Sequence, residues 1–334
     1  MPPLTLNAPG LPVDAGGTVV TVGTFDGMHR GHQDVLAHLV SHAEHRGVPS
    51  VVVTFDPHPL QVVNPAAAPP LLTTFEEKLE IIAQTGVNYV AVVPFTPALA
   101  ALDADAFVRT ILQERFGMAE LLVGHDHGFG RGRMGDASVL QALGEREGFG
   151  VTVLPPVFGA GGQAVSSTAI RRAVAGGDLS RAAEGLGRLY SVSGVVVGGD
   201  QRGRLLGYPT LNLEIPPHKL LPPDGVYAVR VQTPQGAFGG MMNLGPRPTF
   251  GHADRRLEAH VFDARQNWYG ARIRLDFVAR LRETRPFAGM EALVAQLGED
   301  ERAARGHLGL PNAPGGGESH AEGPGPLPSR PRTL

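Results

Sequence analysis

The first half of the chain alternates short apolar runs with amphipathic segments. Runs rich in β-branched residues predict five strands, at 18–23, 50–55, 89–95, 120–124 and 151–155. Segments 31–46, 75–86 and 104–117 place apolar residues at the i, i+3, i+4 spacing of one helical face. Near-continuous Val, Ile and Leu strands separated by helices are typical of a parallel sheet covered on both faces. We therefore expect a doubly wound α/β domain over residues 15–160, followed by two short helices within 166–187.

The pattern changes near Leu189, where strand-like runs with alternating polar and apolar positions follow one another. These runs span 191–199, 225–232, 236–245, 257–263 and 271–282. Turn residues rather than helices separate them, as in PPDG and TPQG, which predicts a small antiparallel sheet or barrel. Residues 289–308 then predict one or two helices that close this half.

Length and composition fit two globular domains. The chain has 334 residues, of which 42% are hydrophobic and 18% are charged. We expect one domain at 15–187 and a second at 188–310. The remaining stretch, 311–334, is rich in Pro and Gly with almost nothing apolar, which predicts a disordered tail.

Charge and cysteine content exclude several classes of function. The net charge of −3 gives no reason to expect nucleic acid or an anionic membrane as a partner. The absence of cysteine excludes disulfides, thiolate catalysis and Cys-ligated zinc or iron–sulfur sites. The N-terminal stretch lacks the basic and apolar regions of a signal peptide, and no apolar run is long enough to span a membrane. We therefore expect a cytoplasmic protein, and the sequence does not indicate its oligomeric state.

Two histidines and three glycines lie where the first strand gives way to a helix. The stretch TVGTFDGMHRGHQ holds Gly23, Gly27 and Gly31, with His29 and His32 at the start of the helix. A helix N-terminus presents unpaired N–H groups that attract phosphate, and glycines allow close approach of the backbone. The imidazoles would add hydrogen bonds to a phosphate whose charge grows in a transition state. By spacing alone they also fit solvent-facing polar residues, in a chain with 13 histidines.

A second polar segment, SSTAIR at 166–171, suits the same chemistry. The hydroxyls of Ser167 and Thr168 would donate hydrogen bonds to a departing pyrophosphate, and Arg171 supplies a fork of charged donors. The segment also fits a Ser/Thr N-cap that opens a helix with an exposed arginine, and the two interpretations are compatible.

Together these stretches resemble bacterial bifunctional riboflavin kinase/FMN adenylyltransferases, whose signature reads close to G-x-F-D-G-x-H-x-G-H. The segments TFDPHP (54–59), VGHDHGFG (123–130) and SSTAIR match further family segments in order. The resemblance implies that His29 and His32 are catalytic. It implies ATP binding by Gly23, Thr24, Phe25, Gly31, Ser167, Thr168 and Arg171. It implies flavin binding by Asp56, His58, Asp126 and Phe129, with His127 where the family usually has Phe.

Residues 194–213, GVVVGGDQRGRLLGYPTLNL, form a second candidate nucleotide site. Gly198, Gly199 and Gly203 would bring backbone amides to a phosphate chain. Thr210 and Asn212 lie on one face of an extended segment and offer hard oxygen ligands that suit Mg²⁺ carried by ATP. Taken alone, the stretch also fits an ordinary Gly- and Pro-rich loop.

This stretch resembles the riboflavin kinase signature of the same family, and DGVYAV, NLGPRPTF and LEAHVFD resemble its later strands. The resemblance implies that Thr210 and Asn212 hold Mg·ATP and that Glu258 is the catalytic base. Its strand places Glu258 on the face opposite Leu257, Ala259 and Val261, toward a cleft or solvent. The other implied ATP-binding residues are Gly199, Gly203, Arg204, Gly207 and Pro209. A looser match, RLRETRPF (280–287), implies flavin binding by Arg285 and Phe287 and equally fits a solvated charge run.

The matches imply phosphorylation of riboflavin to FMN with Mg·ATP, then adenylyl transfer from a second ATP to FMN, giving FAD and pyrophosphate. They cover roughly residues 18–297 with long gaps. Two alternatives stay open. One is another H-x-G-H adenylyltransferase acting on a nicotinate or pantetheine phosphate, which predicts no kinase module. The other is a flavin-binding or regulatory protein with one or both sites inactive.

Overall fold

The computed structural model describes residues 4–5, 16–125, 128, 130, 135–199, 203, 206–246, 255–264 and 266–312. The chain divides into two compact units. One comprises Met1–Ile170 with Gly185–Gly187, and the other comprises Arg171–Glu184 with Arg188–Leu334. The tail predicted at 311–334 lies outside the described residues from position 313 onward.

The first unit is built on a parallel sheet of six strands in the order β1-β4-β3-β2-β5-β6. The strands are β1 (Leu4–Thr5), β2 (Thr18–Val22), β3 (Ser50–Asp56), β4 (Tyr89–Pro94), β5 (Met118–Gly124) and β6 (Gly150–Leu154). Every neighbouring pair is parallel. The prediction of a doubly wound α/β domain with five strands is confirmed, and the sequence pattern missed only the two-residue edge strand β1.

Helices cover both faces of this sheet. They are α1 (Arg30–Arg46), α2 (Pro59–Val63), α3 (Phe75–Ile82), α4 (Pro97–Ala100), α5 (Ala104–Phe107), α6 (Glu114–Phe116) and α7 (Ala137–Glu147). A 3₁₀ turn at Pro65–Ala67 follows α2, and a π-helical stretch at Val108–Gln113 joins α5 to α6. Because side chains alternate along a strand, Val19 packs with Leu36 and Ile82 on one face. Val20 packs with Phe107 and Leu140 on the other.

The two predicted short helices are α8 (Ser167–Ala175) and α9 (Leu179–Leu186). The division between the compact units falls within each of them, after Ile170 and after Glu184. The domain boundary at residue 187 therefore stays a prediction.

The second unit is a closed antiparallel barrel in the strand order β10-β11-β8-β7-β12-β9. The strands are β7 (Ser191–Val197), β8 (Leu211–Glu214), β9 (Gly225–Thr233), β10 (Gly236–Pro246), β11 (Arg255–Val261) and β12 (Arg272–Arg282). The predicted barrel is confirmed. Strand β8 lies in the segment that the sequence indicated only as extended, because Pro209 and Asn212 are poor strand formers.

Helix α10 (Met290–Leu308) packs on the outer face of the barrel. Ala304 and Leu308 of this helix pack against Ala228, Met241 and Phe262, which are all buried. Arg305, only 2% exposed, adds a bidentate ion pair to Asp263 at 2.9 and 3.0 Å. Among the described residues no helix is both long and apolar enough to cross a membrane.

Candidate active sites

The loop between β2 and α1 carries an unusual backbone. Phe25, Gly27 and Met28 have φ angles of 50°, 81° and 42°. The left-handed region costs a non-glycine residue about 1–2 kcal/mol, so neighbouring contacts must hold Phe25 and Met28 in place. This loop, residues 23–29, is called the histidine loop below.

Asp26 anchors the middle of the histidine loop. Its side chain is 3% exposed and accepts hydrogen bonds from Leu72 N (3.1 Å), Thr73 N (3.0 Å) and Thr73 Oγ1 (3.3 Å). Gly27 N in turn donates to Thr73 Oγ1 at 3.0 Å. These contacts fix the loop against the segment that leads into α3. The carboxylate of Asp26 therefore has a structural task that sequence inspection did not reveal.

The two histidines are in contact with each other at the start of α1. Their rings stack with centroids 3.6 Å apart and planes inclined by 18°. His29 is the N-cap, and its Nδ1 accepts from His32 N at 3.3 Å. With Nδ1 as the acceptor, a neutral His29 ring carries its proton on Nε2, which can then donate to an anion. A Cβ at Gly31 would lie 3.2 Å from the His29 ring, so the glycine leaves room for this arrangement.

The SSTAIR segment contacts the histidine loop through one hydroxyl. Ser167 Oγ donates to the backbone oxygen of Asp26 at 2.9 Å. Ser166 Oγ accepts from Ala169 N at 3.3 Å, which is the N-cap contact that the sequence allowed. Thr168 is exposed, and Arg171 follows one turn later on the same helix. Ser167 thus supports the loop that ends at His29.

A pocket opens beside the histidine loop. It is lined by Thr24, Asp26, Phe55, Asp56, His58, Leu71, Thr73, Phe75 and Lys78. Two of the residues that the resemblance assigns to flavin, Asp56 and His58, are among them. His58 caps α2 by accepting from Leu60 N at 3.2 Å. The other two, Asp126 and Phe129, lie outside the described residues, as does His127.

Lys78 is a charged residue of this pocket that the sequence reasoning missed. Its side chain is buried, and its Nζ donates to Thr54 Oγ1 at 3.0 Å, Phe55 O at 3.2 Å and Thr24 O at 3.3 Å. Burial lowers the pKa of Lys78 to about 8, although the carboxylates of Asp26 and Asp56 oppose the shift. A lysine on an amphipathic helix is expected on the solvent-facing side, so the hydrophobic periodicity did not indicate that Lys78 is buried. The rarity of lysine in this chain is a signal that could have found it.

In the barrel, strand pairing brings Asn212 and Glu258 together. Asn212 on β8 is the direct cross-strand partner of Glu258 on β11, and Glu258 pairs on its other side with Asn243 of β10. Directly paired residues project to the same face of a sheet, with Cβ atoms about 4.5–5.5 Å apart. Leu257 and Ala259 point into the barrel and are fully buried, so Glu258 faces outward as predicted. Glu258 retains about one third of its side-chain exposure and has Arg256 Nη1 at 3.3 Å.

Close backbone approach explains the glycines of the second site. Asn212 is 7% exposed, and a Cβ at Gly199 would lie 2.0 Å from its Nδ2. A Cβ at Gly203 would lie 2.2 Å from Tyr208 O and 3.5 Å from Thr210 Oγ1. Among the described residues nothing donates a hydrogen bond to Asn212 Oδ1, although this oxygen is buried. Such an oxygen is available to a cation.

The remaining residues predicted for this site occupy different surroundings. Gly207 has a φ of 82°, and Pro209 O accepts a hydrogen bond of 2.8 Å from His260 Nδ1. Arg285 stacks over the ring of Phe287 at 5.4 Å and donates to Gln296 of α10. Arg204 lies outside the described residues. The described parts of the chain contain no group of three His, Asp or Glu residues arranged to hold a metal.

Two different family models match the two halves of the chain. A family model described as FAD synthetase matches residues 12–169, and one described as riboflavin kinase matches residues 186–308. A solved structure, the "Macrolide-efflux Protein from Streptococcus pneumoniae", superposes with a TM-score of 0.80 at 29% identity, covering 90% of this chain and 99% of that one.

Curated relatives carry one printed name, "Bifunctional riboflavin kinase/FMN adenylyltransferase". The relative from Escherichia coli K12 is 39% identical over 295 residues, covering 88% of this chain and 94% of its own. Those from Pseudomonas fluorescens and Bacillus subtilis are 38% and 32% identical, covering 89% and 86% of this chain and 94% and 91% of their own. The chain therefore belongs to the bifunctional riboflavin kinase/FMN adenylyltransferase family.

Proposed function

We propose that the chain makes flavin cofactors in two successive transfers, one at each site. The barrel phosphorylates riboflavin to FMN with ATP. The α/β unit joins AMP from a second ATP to FMN, giving FAD and pyrophosphate. One observation in each unit supports this assignment. In the barrel, Asn212 pairs with Glu258 across two strands. In the α/β unit, His29 and His32 stack at a helix N-terminus.

In the kinase reaction Glu258 serves as the general base. A ribityl hydroxyl is a poor nucleophile near neutral pH, and a carboxylate within hydrogen-bond reach takes its proton as it attacks the γ-phosphorus. Glu258 projects outward from the barrel and stays partly exposed, so a hydroxyl can approach it. Gly199, Gly203, Arg204, Gly207 and Pro209 shape the loop that receives ATP. Arg285 and Phe287 offer a charged group and a ring for the flavin.

Thr210 and Asn212 would hold the Mg²⁺ that accompanies ATP. The buried oxygen of Asn212, to which no described residue donates, fits a hard cation, and the hydroxyl of Thr210, two residues earlier in the chain, is the second ligand proposed. When bound, Mg²⁺ neutralises charge on the transferring phosphoryl group.

In the adenylyl transfer the FMN phosphate is itself the nucleophile and attacks the α-phosphorus of ATP. His29 and His32 donate to the oxygens on which negative charge accumulates, together with the N–H groups at the start of α1. Backbone groups of Gly23, Thr24, Phe25 and Gly31 line this approach. Ser167, Thr168 and Arg171 receive the departing pyrophosphate, and Asp56, His58, Asp126 and Phe129 receive the flavin. Because both reactions consume ATP, we place the enzyme in the cytoplasm.

The test is an end-point assay on the whole chain. Purified protein is incubated with riboflavin, ATP and Mg²⁺, and the flavins are separated by chromatography. His32→Ala should lose FAD and keep FMN. Glu258→Gln should slow FMN formation by about 10²-fold or more and still convert supplied FMN to FAD. An H-x-G-H adenylyltransferase of another specificity would leave both flavins unchanged while consuming ATP with its own substrate. Tight flavin binding without ATP turnover would identify a non-catalytic flavin-binding protein.

A further inference from the structure

The buried ammonium group of Lys78 has one protein acceptor for each of its three N–H donors. It is the fourth residue of α3 and lies at the carboxyl ends of the adjacent strands β2 and β3. An ammonium group has three N–H donors, and the three acceptors are Thr24 O, Thr54 Oγ1 and Phe55 O. The side chain is 7% exposed, so water cannot easily replace any of these bonds.

The composition of the chain sets Lys78 apart from most of its other basic residues. Of its 29 basic residues only two, Lys78 and Lys219, are lysines, and both are buried, at 7% and 6% exposure. On a surface either cation keeps a protein soluble. In a closed site the compact ammonium, with three diverging donors, differs from the planar five-donor guanidinium. The three separate acceptors around Lys78 suit the three diverging donors of an ammonium better than a planar guanidinium.

Thr24, one of the three acceptors, begins the strained part of the histidine loop. The next residue, Phe25, has a φ of 50°. On its other side, Gly23 N donates to Val53 O of β3 at 3.0 Å. Asp26 holds the middle of the loop to Thr73, and Lys78 holds its start to the end of β3. If the Lys78 ammonium is removed, the carbonyl oxygen of Thr24 loses its charged hydrogen-bond donor. This contact lies at the point where the histidine loop leaves the sheet.

We infer that Lys78 is a positioning residue for adenylyl transfer, whose ammonium clamps the start of the histidine loop to strand β3 and so fixes where His29 and the loop amides meet the nucleotide. This inference rests on the proposed assignment of adenylyl transfer to the histidine loop. Lys78 acts through Thr24, because its donors are directed to protein acceptors.

The protonation state of Lys78 gives the inference a specific pH signature. The pKa of Lys78 is lowered by burial to about 8. The charged or titratable groups around it are Asp26, Asp56 and His58 in the pocket and Glu77 beside it on α3. A neutral amine has only two N–H donors, so one of its three acceptors loses its bond. Adenylyl transfer should therefore be sustained below about pH 8 and decline as the pH rises through that value.

The first experiment compares Lys78→Met with Lys219→Met in the full chain. Initial rates of FAD formation from FMN and of FMN formation from riboflavin are measured on the same preparation. For Lys78→Met, kcat of FAD formation should fall about 10- to 100-fold, a larger change than that in KM for ATP, because the reacting groups are misplaced while most of the ATP-binding surface remains. FMN formation should change less than about twofold. Lys219→Met should leave FAD formation unchanged. FAD formation by Lys78→Met at the wild-type kcat would overturn the inference.

The second experiment measures the titration of Lys78 in the unmodified protein, and it does not depend on whether a Lys78 variant folds. Lysine labelled with ¹³C at Cε gives two resonances from two lysines, and Lys219→Arg assigns them. The pKa of the Lys78 resonance should coincide with the alkaline decline of kcat for FAD formation, and FMN formation should show no decline there. Two unrelated pKa values would refute the role of Lys78. Unchanged FAD formation in His32→Ala would instead refute the assignment of the loop.

Discussion

The substitution Asp26→Asn separates the structural role of the histidine loop from its chemistry. Asp26 Oδ1 accepts from Thr73 N and Thr73 Oγ1, and Oδ2 accepts from Leu72 N. An asparagine can keep the Thr73 pair but then turns its NH₂ toward Leu72 N. The charge-assisted bond to Leu72 N is lost, at about 1.5–3 kcal/mol, and this N–H then faces a second donor, the NH₂ of the asparagine, at about 1–3 kcal/mol. Since the two terms overlap, we expect the first unit to lose about 2–5 kcal/mol of unfolding free energy.

The matched control is Asp34→Asn on helix α1. Asp34 is 38% exposed and its only described ion pair is to His38 at 3.6 Å, so the same chemical change should cost less than about 0.5 kcal/mol. Urea unfolding is followed by far-ultraviolet circular dichroism and by the fluorescence of Trp268. This tryptophan, the only one in the chain, is buried in the second unit, between β11 and β12.

The expected result is a shifted dichroism transition for Asp26→Asn with an unshifted fluorescence transition. FAD formation should fall by about 10-fold or more, because a loosened loop misplaces the histidines, while FMN formation is retained. Equal unfolding midpoints for Asp26→Asn and Asp34→Asn would show that the Asp26 contacts do not support the loop.

Three further substitutions test other parts of the molecule. Gly31→Ala places a Cβ 3.2 Å from the His29 ring, and kinetics should show a several-fold lower kcat for FAD formation with FMN formation unchanged. Asn212→Ala removes the buried oxygen proposed to bind Mg²⁺. The Mg²⁺ concentration needed for half-maximal FMN formation should therefore rise about 10-fold or more. An unchanged Mg²⁺ titration would contradict that role. Arg305→Met leaves Asp263 without its bidentate partner and should lower barrel stability by about 3 kcal/mol in calorimetry, whereas the exposed Arg302→Met should not.

Periodicity predicted the elements of this fold because each one buries a regular pattern. Val19 and Val20 are both fully buried on opposite faces, which is why the strand reads as a continuous apolar run. The outward direction of Glu258 followed from alternation in the same way. Its neighbour could not be predicted, because cross-strand register depends on how the barrel closes. The pairing of Asn212 with Glu258 is thus a property of the folded chain.

The contacts that hold the first site were harder to predict for a related reason. In the sequence, Asp26 is one residue of a signature motif, and Lys78 is one polar residue of an amphipathic helix. Each gains its role only when the segment that leads into α3 packs on the end of the sheet. The candidate chemistry was therefore readable from motifs. The scaffold that positions it was not, because its contacts join residues far apart in the chain.

The two proposed reactions differ in whether they need a carboxylate as a general base. The two carboxylates near the proposed sites, Asp26 and Glu258, differ in the same way in their exposure. The phosphate of FMN is already an oxyanion near neutral pH, so its attack needs hydrogen-bond donors and no base. The carboxylate beside the histidines, Asp26, is buried and accepts from three donors. The ribityl hydroxyl must lose a proton, and Glu258 remains partly exposed on the outer face of the barrel. Replacing each carboxylate by its amide should therefore have different effects on stability and on the two reactions. Asp26→Asn should lower both stability and FAD formation, whereas Glu258→Gln should lower the rate of FMN formation with stability retained.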